Sequence, residues 1–198
     1  MVGAFYDYMA AFLKEKQAKD VVEVGSDTQL KLALNLAPYC ETFYSVNFAE
    51  HHAMMHGWLE MHGDMGGVYN IKLLSGNALN LESLIAHADV IILQNVLIDG
   101  SGEDTALMWK YKRGELPYTQ TDWEALLARF ADAEEQAYKA FLRVAKPGHI
   151  VRFGRPEADG AFRKLLQKLE VPAARIEARE LLYDDTDEVG EAYFVNNE

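Results

Sequence analysis

The segment VVEVGSDTQ, residues 21–29, contains a buried strand that runs into a glycine turn at Gly25. A turn of this kind lets the backbone approach a nucleotide-like cofactor closely, because glycine carries no Cβ. A dinucleotide site would need the pattern G-x-G-x-x-G and an acidic residue about 20 positions later. Here only one of those glycines is present, Asn47 takes the place of the acid, and the Gly-Lys-Ser/Thr of a P-loop is absent. The segment therefore predicts a cofactor site of another kind, with an ordinary turn at Gly25 as the alternative.

A basic and aromatic cluster, WKYKR at 109–113, occurs in a chain whose formal net charge is −12. Trp109 and Tyr111 could stack on a planar substrate, and the neighbouring cations could attract an anionic one. The alternative is a solvated segment whose tryptophan packs on the core. Asp99 and Asp104 lie nearby in the sequence, and either carboxylate could act as a base. Nothing in the sequence selects between them, so the catalytic residue stays unknown.

Three candidate metal ligands recur every four residues and would share one face of a helix: His52, His56 and Glu60. A solvated polar face is the stronger interpretation, because such loose spacing is common, and we predict no metal site. His87 and His149 flank apolar strands and are interpreted as turn or edge residues rather than catalysts. Cys40 is interpreted as a small buried residue, since no partner for a nucleophile can be argued.

Hydrophobic periodicity predicts how these groups are positioned, because helical and strand patterns alternate along the chain. Residues 175–197 predict two strands joined by an acidic turn. Residues 98–120 show no clear period and are predicted as a long connection, which often carries function. The alternation predicts an α/β fold with a parallel sheet covered by helices on both faces. The other strands are predicted at 20–25, 42–48, 69–76, 89–98 and 149–154, and the helices at 3–19, 30–37, 50–63, 81–88, 123–141 and 162–169.

Length and composition limit the class of protein. The 198 residues, about half of them apolar, suffice for a single domain with a sizeable core. The acidic balance argues against broad nucleic-acid binding, and the single cysteine excludes an internal disulfide. The chain has no apolar run of the roughly 18 residues that a membrane helix needs, and no signal-peptide pattern at its start. We therefore expect a cytoplasmic protein with no nucleic-acid or membrane partner.

Five segments form an ordered set: EVGSDTQ, YSVNF, SGNAL, ADVIILQNVL and LRVAKPGHIVRF. Together they resemble the landmarks of class I S-adenosylmethionine (SAM)-dependent methyltransferases, and the resemblance covers residues 18–196. It implies a Rossmann-like, doubly wound and mostly parallel seven-stranded sheet with a C-terminal antiparallel hairpin. It also implies that SAM is the cofactor.

The resemblance assigns cofactor contacts to the turns after the first four strands. In the family, spaced glycines approach the methionine part of SAM, an acid after the second strand binds the ribose, and one after the third binds the adenine. In this chain Asp27 and Gln29 replace glycines, while Asn47 and Asn77 replace the two acids. An asparagine still accepts and donates hydrogen bonds, and capping of the following helix is the alternative role for both. The predicted cofactor-binding residues are Glu23, Gly25, Ser26, Asp27, Asn47, Phe48, Asn77, Ala78, Gln94 and Asn95.

Different classes of function fit these observations. The leading hypothesis is an enzyme that transfers a methyl group from SAM to a small molecule, with residues 98–120 closing over the acceptor and Trp109 and Tyr111 contacting it. The alternative is a protein that keeps the fold without catalysis and acts as a binding or scaffold partner. A third hypothesis is a binder of another nucleotide-like ligand. The apolar N-terminal helix could cover the active site or form a homo-oligomer contact.

Overall fold

The computed structural model describes residues 4–26, 29–64, 70–94, 98, 102–156, 160–183 and 188–198. No helix in these ranges is both long and apolar enough to cross a membrane. The strands are β1 (Asp20–Val24), β2 (Thr42–Asn47), β3 (Ile71–Ser75), β4 (Val90–Gln94), β5 (His149–Gly154), β6 (Ile176–Leu182) and β7 (Val189–Asn196). The helices are α1 (Phe5–Lys16), α2 (Lys31–Leu36), α3 (His52–Asp64), α4 (Leu81–Leu84), α5 (Glu103–Lys112), α6 (Gln120–Val144) and α7 (Ala161–Lys168).

The strands form one sheet in the order β3-β2-β1-β4-β5-β7-β6. The strands β1 to β5 run parallel, and β7 lies antiparallel between β5 and β6. The strand order reverses between β1 and β4, and open α/β sheets bind ligands beyond the carboxyl ends of the strands at such a point. We call this end of the parallel strands the carboxyl edge and the opposite end the amino edge. The predicted α/β, doubly wound sheet with a C-terminal antiparallel hairpin is confirmed, and its acidic turn at 184–187 lies outside the described residues.

Alternate strand residues pack on opposite faces of the sheet, each against its own layer of helices. One layer consists of α1, α2 and α3, and the other of α4, α6 and α7. Because both faces are covered, β4 begins with an uninterrupted run of buried apolar residues, VIIL at 90–93, without polar alternation. Three neighbouring strands supply fully buried residues to both layers: Val21, Val90 and Val151 to the first, and Val22, Ile91 and Ile150 to the second.

Helix α1, within the predicted helix at 3–19, covers the part of the sheet formed by β5 and β7. The ring of Phe5 stacks on Phe153, with centroids 4.2 Å apart and planes inclined by 10°. The rings of Tyr8 and Phe12 each lie 5.2 Å from that of Phe194. The apolar face of α1 is therefore buried against the sheet of its own chain, so a contact between two copies would need another face.

The prediction of an irregular connection at 98–120 is wrong, because α5 forms within it. Only Met108 of α5 is buried, and it packs against Leu126 and Phe130 of α6 rather than against the sheet. A helix that buries so little has a weak hydrophobic period, which explains why the sequence pattern missed it. Helix α6 begins earlier than predicted, where Thr119 and Asp122 form a capping box.

Gly148 lies in the turn that leads into β5, at the amino edge. A Cβ at this position would lie 2.7 Å from the carbonyl oxygen of Asp89 and 2.9 Å from that of Ala88. Such distances are too short for a side chain, so the Lys-Pro-Gly sequence before β5 meets a packing requirement of the sheet.

Candidate functional site

The turns after β1, β2, β3 and β4 lie side by side at the carboxyl edge. The N–H of Gly25 donates to the carbonyl of Val46 (2.9 Å), and that of Gly76 donates to the carbonyl of Asn47 (3.1 Å). Parallel pairing therefore continues from the strands into the turns. Across β1 the register pairs Glu23 with Ile92, which puts Gln94 level with Gly25. The topology thus brings together Glu23, Gly25, Ser26, Asn47, Phe48, Asn77, Ala78 and Gln94, whereas the predicted Asp27 and Asn95 lie outside the described residues.

The turn after β1 combines an exposed glycine with a buried serine. Gly25 has a φ of 75°, a left-handed conformation that costs a residue with a Cβ roughly 1–2 kcal/mol. Ser26 is only 3% exposed, and its Oγ has no hydrogen-bond partner among the described residues. A buried hydroxyl without a partner is costly, so it is a position where a ligand atom would be stabilised.

Glu23 is a buried carboxylate next to this turn, with 5% of its surface exposed. The Oγ of Ser45, which lies opposite it on β2, donates to the Oε2 of Glu23 over 3.3 Å. A buried charge needs such partners because desolvation disfavours it. Ser45 is not among the predicted site residues, although a serine in the otherwise apolar part of β2 was a usable signal.

The carboxamide of Asn47 holds the turn after β1 against the end of β2. Its Nδ2 donates to the carbonyl of Ser26 over 2.5 Å, and its Oδ1 accepts the N–H of Phe48 over 2.7 Å. The predicted alternative, a cap on the helix that follows, is wrong, since the side chain caps no helix N–H. One N–H and one lone pair of the carboxamide stay available for a further partner.

Asn77 caps the short 3-10 turn Ala78–Asn80, because its Oδ1 accepts the N–H of Leu79 over 3.0 Å. The capping alternative is therefore confirmed for this asparagine. A cap of this kind uses the side-chain oxygen, so capping by itself does not exclude a ligand contact at position 77.

Phe48 connects the carboxyl edge to α5. Its ring is partly exposed, and its Cε2 lies 4.0 Å from the position that a Cβ would take on Gly102, immediately before α5. Gln29, which takes the place of a glycine in the family pattern, is exposed shortly before α2. The α5 helix therefore begins beside the turn after β2, although no periodicity in the sequence indicated this.

Trp109 and Tyr111 have different environments on α5. Trp109 is 49% exposed, and the Nζ of Lys112 lies 5.2 Å from its ring centroid. Tyr111 stacks on Tyr118 with centroids 4.7 Å apart, and Tyr118 in turn lies 5.6 Å from Trp123. The predicted alternative of a tryptophan packed on the core does not hold for Trp109, so its ring is open to contact.

Asp104, one of the two candidate bases, forms an ion pair with Arg129 of α6. Both Nε and Nη2 of the guanidinium lie 2.8 Å from its Oδ1. A carboxylate held in this way joins the two helices. The other candidate, Asp99, lies outside the described residues.

The histidines of α3 do not gather around a common point. The rings of His52 and His56 lie 6.3 Å apart, and the Nε2 of His52 is buried without a described partner. Within the described ranges, no three His, Cys, Asp or Glu side chains are close enough to hold a metal ion.

The remaining candidate nucleophile and acid–base groups lie away from the carboxyl edge. Burial, aided by the charge of Asp20, raises the pKa of the Cys40 thiol to about 12, which makes it a poor nucleophile. His87 lies 3.2 Å from Asp89 before β4, and His149 begins β5. Both histidines are at the amino edge, as expected for turn or edge residues.

Comparison with known proteins indicates a fold rather than a close relative. No protein-family model and no curated protein sequence matches the chain. An rRNA methylase from Streptococcus thermophilus is similar in structure, with a TM-score of 0.57 and 14% identity, over 100% of this chain and 99% of that one.

Two further similar structures were solved with the cofactor or its product. A magnesium protoporphyrin IX methyltransferase from Synechocystis with bound SAM has a TM-score of 0.60 and 12% identity, over 98% of this chain and 78% of that one. The N-methyltransferase NodS from Bradyrhizobium japonicum, in complex with S-adenosylhomocysteine (SAH), has a TM-score of 0.57 and 13% identity, over 98% and 89% of the two chains. The chain thus has the fold of class I SAM-dependent methyltransferases.

Proposed function

We propose that this protein is a SAM-dependent methyltransferase that acts on a small molecule. The observation that carries the proposal is the turn after β1, where the exposed Gly25 with a φ of 75° stands beside the buried, unpartnered hydroxyl of Ser26. This turn lies at the switch point of a methyltransferase fold. Similar structures that contain SAM or SAH support the choice of cofactor.

The residues at the carboxyl edge fit this cofactor in their chemistry. The turn at Gly25 offers close backbone approach, and the Oγ of Ser26 offers a hydrogen bond. The carboxamides of Asn47 and Asn77 offer neutral hydrogen bonds in place of charged ones, and Phe48 offers an aromatic surface. SAM would supply an electrophilic methyl group on a sulfonium sulfur.

In such a reaction the residues of this chain position the acceptor relative to the methyl group. Alignment of an acceptor with the methyl group converts a bimolecular step into one within the complex. The start of α5 lies beside Phe48, so α5 and the first turns of α6 are the elements we assign to the acceptor. The exposed rings of Trp109 and Tyr118 favour an acceptor with an aromatic or other apolar part. A general base is required only where the acceptor must lose a proton.

Titration calorimetry with SAM and SAH tests the proposal on the intact chain. We expect micromolar binding by the natural protein and at least tenfold weaker binding by Gly25→Ala. The matched control is Gly114→Ala, because Gly114 has a similar φ of 70° in open space after α5. Both substitutions impose the same backbone strain, so only the position relative to the carboxyl edge differs.

Two results of this titration would contradict the proposal. Absence of heat at millimolar SAM and SAH, with folding verified by circular dichroism, would favour a methyltransferase fold that serves as a binding or scaffold partner. Equal weakening by Gly25→Ala and Gly114→Ala would show that strain, and not cofactor contact, causes the loss. The bridge from Asn47 to Ser26 gives the scaffold alternative some support, because it uses a ribose-binding position for structure.

The small-molecule acceptor and a cytoplasmic location stay predictions from composition. The formal net charge of −12 disfavours a nucleic-acid acceptor, and we propose none.

A further inference from the structure

A cavity lies at the amino edge, at the end of the sheet opposite the proposed cofactor site. It has a volume of about 240 Å³ and lies between the last turn of α1, the start of β5, the end of β7 and the start of β6. The six residues of β5 separate the two edges by about 20 Å. This volume is several times the roughly 30 Å³ share of one water molecule, so it can hold a small organic ligand.

The walls of this cavity are two aromatic rings that the fold holds rigidly. Phe12 and Phe194 are both nearly buried, and their rings lie 5.2 Å apart. The ring of His149 meets that of Phe12 edge-on at 5.3 Å. Burial and the nearby charge of Lys16 lower the pKa of His149, so its imidazole is neutral at neutral pH. The walls therefore favour an apolar group.

Two cations line the mouth of the cavity in an otherwise acidic protein. Arg175, in the 3-10 turn before β6, has an exposed side chain without an ion-pair partner in the described part of the chain. Lys16 lies 3.3 Å from the exposed carboxylate of Glu15, a surface pair of little strength. A guanidinium and an ammonium at one opening are suited to a carboxylate.

The floor of the cavity carries an acceptor that lacks a donor. The Oδ1 of Asn196 is buried and has no hydrogen-bond partner among the described residues. Glu177 also lines the cavity, and its exposed carboxylate pairs with Arg179. Glu198 adds negative charge near His149. A buried unsatisfied acceptor with exposed carboxylates nearby is suited to an ammonium group.

We propose that this cavity binds a small apolar α-amino acid. Its carboxylate contacts Arg175 and Lys16, its ammonium group contacts the Oδ1 of Asn196, and its side chain packs against the rings of Phe12 and Phe194. The site is separate from the proposed cofactor site and does not depend on methyl transfer. Because Phe12 and Lys16 belong to α1, the bound ligand also strengthens the attachment of α1 to the sheet.

Calorimetric titration with L-leucine tests the proposal, with isocaproate and isoamylamine as matched ligands that lack the ammonium and the carboxylate respectively. We expect L-leucine to bind with millimolar or better affinity and each matched ligand to bind about tenfold more weakly or worse. The exposed substitution Arg175→Gln should weaken L-leucine binding about tenfold. The control Arg113→Gln makes the same change of charge on the exposed turn after α5 and should have no effect.

Hydrogen exchange on the same complex reports where the ligand binds. We expect slower exchange at the end of α1 and at the end of β7. SAM itself contains an α-amino acid group, so the titration is repeated with saturating SAH, and L-leucine binding should persist. Lack of binding by the folded protein, equal binding by Arg175→Gln, or protection confined to the carboxyl edge would each overturn the proposal.

Discussion

Asn47 ends β2 and Asn77 follows the neighbouring strand β3, but the two side chains have different roles in the local structure. Asn47 links two turns through a donated and an accepted hydrogen bond, and its replacement would disturb the turn that contains Ser26. Asn77 caps a 3-10 turn through its Oδ1. Aspartate caps as well as asparagine does, so an aspartate at position 77 would keep this cap.

Asn77→Asp should strengthen SAM binding about fivefold. The carboxylate keeps the cap on Leu79 and adds a charged acceptor on the side where the family binds the adenine amino group. Calorimetry on the variant and the natural protein measures the difference.

The control for this change is Asn80→Asp, because Asn80 is an exposed neighbour whose side chain makes no cap. Equal affinities for Asn77→Asp and the natural protein would remove Asn77 from the cofactor site. An equal gain in SAM affinity in Asn77→Asp and in Asn80→Asp would indicate a general effect of negative charge.

Helix α1 and the sheet stabilise each other through aromatic contacts. Phe5 is fully buried against Phe153, near the carboxyl edge, while Phe12 lies at the other end of the helix near His149. The helix thus runs alongside β5 between the two proposed sites. Its attachment is a property that substitution of a single ring can measure.

Phe5→Ala should lower the free energy of unfolding by about 3 kcal/mol, because it removes a fully buried ring and leaves a cavity. Phe5→Leu keeps most of the volume and should cost less than about 1.5 kcal/mol. Urea denaturation monitored by circular dichroism measures both values. If both variants were as stable as the natural protein, α1 would detach readily and contribute little to the fold.

Asp89 joins the starts of β1 and β4 at the amino edge. Its Oδ2 accepts the N–H groups of Lys19 (2.7 Å) and Asp20 (2.9 Å), and its Oδ1 lies 3.2 Å from His87. Burial alone would raise the pKa of Asp89, but these hydrogen bonds outweigh it and lower the pKa. A depressed pKa means that the ionised form stabilises the fold.

The stability that Asp89 contributes should therefore be present at neutral pH and disappear as the pH falls through its folded-state pKa, below about 3.9. Asp89→Asn should cost about 1 kcal/mol at pH near 7 and nearly nothing in strong acid. Urea denaturation over this pH range tests the prediction, with Asp132→Asn, an exposed change on α6, as the control. If the loss of unfolding free energy in Asp89→Asn were the same at every pH, the fold would require the shape of the side chain at position 89 and not its charge.

For the whole molecule, the net charge of −12 is the property that bears most on its partners. The similar structures include an rRNA methylase, so the fold by itself is compatible with an RNA substrate. Phosphate neutralisation needs a basic surface, and among the described residues the cations of the cluster at 109–113 are partly engaged, Arg113 by Glu115 at 2.6 Å and Lys112 by the ring of Trp109.

We therefore expect no shift of a structured RNA oligonucleotide by this protein at physiological salt in an electrophoretic assay. A basic RNA-binding protein serves as the positive control. Micromolar binding that weakens steeply with salt would contradict the prediction, and loss of that binding in Lys110→Glu would assign it to the cluster at 109–113.

The sequence by itself determined the fold and predicted where the site lies. Strand segments such as DVIILQNVLI carry their period locally, and β1 ends at Gly25 because a positive φ favours glycine, so neighbouring residues suffice to recognise both. The tertiary structure decided the rest. The buried Met108 of α5 packs on α6, Ser45 contacts Glu23 across two strands, and the cavity at the amino edge takes residues from α1, β5, β6 and β7. These features depend on contacts between residues far apart in the chain, and one sequence carries no local pattern for such contacts.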